Sequence, residues 1–114
     1  MIERERLKII SPSLRERERY VKFAVLSEGE VEYSDLEAAI WNTFLDFYGE
    51  QGVSKQSLWL IKNLWDTENQ IGVIRCNNTN VNQVLAGLGL VSRLGDSRII
   101  FKILKVSGTI RGLG

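Results

Sequence analysis

The chain has 114 residues, 44% of them hydrophobic and 25% charged, with one Pro and ten Gly, which suits one compact domain and excludes collagen-like, solenoid and disordered classes. Fifteen basic against fourteen acidic side chains leave a formal charge of +1, too small for a protein that coats nucleic acid by bulk charge. The absence of His removes imidazole bases and His metal ligands, and the lone Cys76 excludes an internal disulfide or a CxxC pair.

Residues 1–10 alternate acids and bases instead of placing a basic stretch before an apolar run, so they do not read as a secretory leader. No apolar stretch approaches the roughly 18 residues of a membrane span, and a cytoplasmic protein without a membrane partner is expected. Ser13-Leu14-Arg15-Glu16 fits a capping box behind Pro12 and predicts a short opening helix. Residues 20–26 predict a strand, with Val21, Phe23 and Val25 on one face and Lys22 on the other. Ser34-Asp35-Leu36-Glu37 is a second capping box. The helix it opens repeats Leu36, Ala39, Ile40, Thr43, Phe44 and Phe47 at helical spacing, and Gly49 offers a stop after Tyr48.

Residues 52–56 read as a connection and 58–65 as an apolar strand. The polar turn 66–69 then leads into a β-rich run, 71–76, so the two runs form an antiparallel hairpin. Asn80 caps a second helix with Val81, Val84, Leu85 and Leu88 on one face, weakened by Gly87 and Gly89. Gly95-Asp96 makes a turn before a long last strand, 98–106.

The β-α-β-β-α-β order predicts an α+β, ferredoxin-like and RNA-recognition-like sandwich. Its four-stranded antiparallel sheet carries two main helices on one face, with the short N-terminal helix outside. A single domain, 1–114, is expected: a charged segment 1–19, a core 20–108 and a tail 109–114. Residues 58–65, 71–74 and 99–104 are apolar on both alternating sets, so the second sheet face is expected to be covered.

Charge is segregated along the chain. Residues 20–50 hold Lys22 against seven acids, whereas 51–114 hold eight bases against three acids. The acids Glu28, Glu30, Glu32, Asp35 and Glu37 lack the spacing of a cation loop and read as a solvated loop and helix cap. Gly87-Leu88-Gly89 lacks the context of a dinucleotide loop, and Trp41, Trp59 and Trp65 read as core or interface. Arg15, Arg17, Arg19, Lys22, Arg75, Lys102, Lys105 and Arg111 form the best candidate set for phosphate contact. Lys22 and Arg75 fall on strands that this topology makes central and adjacent.

Several motifs carry a resemblance: Pro12-x-Leu14-Arg15-x-x-x-Arg19-Tyr20, Trp41 with Gly49-Glu50-x-Gly52-x-Ser54, Ile74-Arg75-Cys76, and Val106-Ser107-Gly108-Thr109-Ile110-Arg111. Together, over residues 7–111, they resemble the archaeal ribonuclease P protein component 2 family. The resemblance implies a non-catalytic subunit of the ribonucleoprotein that removes 5′ leaders from precursor tRNA, with the RNA performing magnesium-dependent hydrolysis and no cofactor bound by this chain. Implied partners are ribonuclease P RNA, the TIM-barrel-like component 3 and other holoenzyme proteins. A second copy in a two-plus-two assembly and, indirectly, precursor tRNA complete the set.

Arg15, Arg19, Arg75 and Arg111 lie in matched motifs; Arg17, Lys22 and Lys102 join the expected RNA-binding set from charge and strand position. The aromatic ribonucleoprotein octapeptide is absent from residues 70–76, so backbone and shape recognition is expected in place of base stacking. The alternatives are a ferredoxin-like dimeric ligand-binding or protein-interaction module and an acylphosphatase-like enzyme. The latter conflicts with the acidic segment 27–33, which repels phosphate.

Overall fold

The computed structural model describes residues 17–114; the predicted opening helix and Arg15 lie outside the described residues. The chain runs β1 (Glu18–Ser27), α1 (Tyr33–Gln56), β2 (Trp59–Leu60), β3 (Ile71–Asn77), α2 (Val81–Leu90), β4 (Arg93–Leu94) and β5 (Ser97–Ser107), with 3-10 turns at Lys62–Leu64 and Arg111–Leu113. The antiparallel sheet is ordered β2-β3-β1-β5-β4. The expected β-α-β-β-α-β order is present, but the sheet has five strands and not four. The extra one, β4, pairs with the start of β5 across a turn in which Gly95 takes φ 63°, a conformation that glycine adopts without a Cβ clash.

Three further expectations change. Gly49 has φ 70° and ψ 174° and breaks the helical path as expected, but helix resumes and runs to Gln56 where a connection was expected. The resumed segment buries Val53 and Gln56. It can fold back because Gly52 faces Tyr48, where an added Cβ would stand 2.8 Å from Tyr48 Cβ. The Ser34 capping box does not form: Glu32 is the N-cap and makes no side-chain cap hydrogen bond. Glu37 Oε2 instead lies 3.2 Å from the Tyr33 hydroxyl, which also donates to the Leu60 carbonyl at 3.1 Å. The apolar run 58–65 is a strand only at Trp59–Leu60 before it turns into 3-10 geometry.

The core lies between the helices and one sheet face. Val21, Phe23 and Val25 of β1, Leu36, Ile40 and Phe44 of α1, Ile74 and Cys76 of β3, and Val84 and Leu88 of α2 belong to one buried cluster. Gly87 is explained by this packing: an added Cβ would stand 2.5 Å from Phe44 Cζ. Buried Asn77 ends β3 and joins elements distant in sequence. Its Nδ2 donates to the Lys55 carbonyl, and its Oδ1 accepts from the Asn80 amide at 3.0 Å.

Candidate nucleic-acid interface

Because β1 alternates, burying Val21, Phe23 and Val25 against the helices turns Tyr20, Lys22, Ala24 and Leu26 to the opposite, open face. Register extends that face across the sheet. Tyr20 stands opposite Arg75 on β3 and Ser107 on β5, Lys22 opposite Val73 and Lys105, and Ala24 opposite Ile71 and Lys102. The structure thus gathers Lys22, Arg75, Lys102 and Lys105 of the candidate phosphate-contact set on three adjacent strands. In a regular strand Lys102 and Lys105, three apart, point to opposite faces. The register shift between Lys22 and Phe23 leaves Leu104 as an extra residue, which returns Lys105 to the face of Lys102.

Among the described residues the one ion pair is Arg75 Nε to Glu18 Oε1, at 3.7 Å. Glu18 Oε2 also accepts from the Tyr20 hydroxyl at 3.0 Å. Burial, reinforced by this carboxylate, holds the Tyr20 hydroxyl above its usual range, so it remains a neutral donor. No acid among the described residues pairs with Lys22, Lys102 or Lys105. Lys22 and Lys105, directly opposite, repel each other. A bound polyanion relieves that repulsion and releases its own counterions. The face also holds apolar surface, with Leu26, Trp59 and Ile100 more than half exposed at 53%, 58% and 64%.

Of the other expected residues, Arg17 lines a small cleft together with Glu18 and Arg75, whereas Arg19 and Arg111 lie off the three-strand face. Arg17 is exposed just before β1, and its carbonyl accepts from the Asn78 amide at 2.7 Å. Arg19 shares the strand parity of Val21; its Nη1 donates to the Glu18 carbonyl at 2.9 Å and lies beside Gly108. Arg111 is exposed on the C-terminal 3-10 turn. That turn is built by the motif around it. Thr109 Oγ1 accepts from the Gly112 amide at 3.0 Å, Ser107 Oγ accepts from the Thr109 amide at 3.2 Å, and Leu113 is buried. An added Cβ at Gly112 would stand 2.1 Å from Ser107 Oγ. The signature is therefore a folded device that presents Arg111.

Cys76 is fully buried, and burial pushes its thiol up to about 11 against the opposing pull of Arg19, which suits packing and not reactivity. A groove of about 430 Å³ between α1 and the β4–β5 turn shares none of the open-face cations. Tyr20 and Trp59 were not among the expected site residues, because the aromatic octapeptide pattern falls on β3 and neither residue lies there. The hairpin register was the signal that could have placed them.

A model of the Rpp14/Pop5 family matches residues 19–113. Ribonuclease P protein component 2 of Pyrococcus furiosus is 42% identical over 109 residues, covering 96% of this chain and 89% of that protein. The protein of the same name from Methanocaldococcus jannaschii is 36% identical, covering 94% of this chain and 77% of its own length. Among solved structures, a chain of the cryo-EM structure of yeast ribonuclease MRP matches at TM-score 0.62 with 13% identity, covering 83% of this chain and 76% of that one, a likeness of fold.

Proposed function

The chain belongs to the Rpp14/Pop5 family, and we propose on that basis that it is a non-catalytic protein subunit of ribonuclease P, the ribonucleoprotein endonuclease that matures tRNA 5′ ends. Its contribution is electrostatic. A folded catalytic RNA crowds phosphates together, and fixed cations on a rigid sheet lower the cost of that crowding. The observation that carries this reading is the convergence of Lys22, Arg75, Lys102 and Lys105 on one sheet face, where three of the four have no acidic partner among the described residues. Arg17, Arg19 and Arg111 extend the contact from the neighbouring end of the fold, and Arg15 precedes them in sequence.

The partners in this reading are ribonuclease P RNA, component 3 and other holoenzyme proteins, with self-association giving a two-plus-two complex and precursor tRNA approached indirectly. Docking of proteins is supported by α1, whose Leu45 and Phe47 stay exposed. The chain has no His and, among the described residues, no group of three or more Cys, Asp or Glu side chains that could hold a metal. In this reading, as the family resemblance implies, the RNA holds the magnesium of the reaction and this chain binds no cofactor. The proposed place of action is the cytoplasm; among the described residues no helix is long and apolar enough to cross a membrane.

The test is reconstitution of precursor-tRNA cleavage from the RNA, this chain and component 3 at limiting magnesium. Cleavage should require this chain. The double variant Lys22→Ala, Arg75→Ala should weaken it and flatten its salt dependence by roughly 0.7–0.9 in log–log slope for each phosphate no longer neutralised. Normal processing and an unchanged slope in that variant would sink the site assignment.

A further inference from the structure

Trp59 has no part in the electrostatic reading, and its setting differs from that of the other tryptophans. Trp41 and Trp65 are partly buried against the core, whereas Trp59 stands 58% exposed on the short edge strand β2. It lies opposite Arg75, and Arg75 lies opposite Tyr20, so one row across β2, β3 and β1 of the open face reads aromatic, guanidinium, aromatic. Glu18 ties the Arg75 and Tyr20 side chains from one end. The next row inward carries Lys22 and Lys105. Trp59 and Tyr20 are two strand spacings apart, about 10 Å.

A large apolar ring beside cations with few acids nearby is poorly matched to an apolar protein surface and well matched to a ligand that is anionic along its backbone and flat and apolar on its bases. Positive grooves combined with aromatic platforms bind single strands in this way. A duplex hides its base faces, so the ligand is an unpaired segment.

We propose that Trp59, flanked by Arg75 and Tyr20, is a stacking site for an unpaired nucleobase of bound RNA, on a strand whose phosphates meet Lys22 and Lys105. This rests on the reading that the open face meets RNA, and it replaces the expectation that base stacking is absent. The octapeptide pattern belongs to β3, while the aromatic rings here come from β2 and β1.

The test uses the full chain and two labelled strands of about ten nucleotides, one oligoadenylate and one with the same sugar-phosphate backbone but no bases, with binding read by fluorescence anisotropy across a salt series. Wild type should bind oligoadenylate roughly tenfold more tightly than the abasic strand. Trp59→Leu should lose that difference at unchanged salt slope, while Trp59→Phe keeps most of it; circular dichroism checks that both variants fold. Equal affinity of wild type for the two strands, with a steep salt slope, overturns the stacking site and leaves the electrostatic reading standing. Salt-independent or absent binding to both strands overturns the two together. A Trp59→Leu variant that keeps its preference for oligoadenylate over the abasic strand also overturns the proposal.

Discussion

At the scale of single residues, Lys22 and Lys105 set stability against function. Like charges directly opposite on a sheet destabilise it, whereas an opposite-charge pair contributes roughly 0.2–1 kcal/mol. Lys105→Glu should therefore raise the melting temperature of the free chain by roughly 2–4 °C while weakening its RNA binding, as checked by thermal melts with and without RNA. Tyr33 makes a pH prediction. Burial, then the hydrogen bond and charge of Glu37, push its hydroxyl up to about 12 from 10.0. Between those values the unfolded chain has lost a proton that the native state keeps, so stability falls as pH rises through the window and is unaffected below it. The buried Cys76 thiol, pushed up to about 11 from 9.0, adds a loss of the same sign that begins lower. Tyr33→Phe should flatten the decline between about pH 10 and 12 and leave the Cys76 part, as read from urea midpoints across that range. These shifts were not legible in the sequence, because they depend on which groups the fold buries together.

Among the elements, α2 makes a paired test of why its glycines are there. Gly87 sits against the Phe44 ring, so Gly87→Ala forces the ring to move and should cost about 1–3 kcal/mol despite the gain in helix propensity. Gly89, two residues on, meets nothing within 4 Å. Gly89→Ala should therefore stabilise by about 0.5 kcal/mol, with denaturant midpoints reading both. Periodicity located α2 and the first half of α1 because an apolar stripe at helical spacing depends only on local order. In the sequence the second half of α1 reads as a connection because Gly49 is a true break. Only the packing of Val53 and the fit of Gly52 against Tyr48 make the chain resume a helix. The run 58–65 misled for the opposite reason: apolar content is the same in a strand and in the turn that follows Leu60.

At the scale of the whole molecule, Asn77 links the end of α1 to the start of α2 through the Lys55 carbonyl and the Asn80 amide. Asn77→Ala strands buried polar groups and should cost about 1–3 kcal/mol, lowering the denaturant midpoint while the reconstituted enzyme keeps its cleavage salt slope. The sequence alone determined the α+β class, the order of the main elements, the lack of His chemistry and the family, because these follow from local periodicity, residue identity and motif spacing. It also put Lys22 and Arg75 on adjacent central strands, since this topology leaves little choice. Which side chains share a face, by contrast, emerges only from strand pairing in the folded chain. Lys102 and Lys105 should oppose each other by strand alternation, yet one extra residue at Leu104 turns both to the open face. Arg19 and Lys22, close in sequence, are parted by strand parity. Trp59 reaches the row of Tyr20 through register with Arg75. Register and bulges arise from pairing between distant segments, where a shift of one residue reverses every side chain, and no local pattern in a single strand encodes that shift.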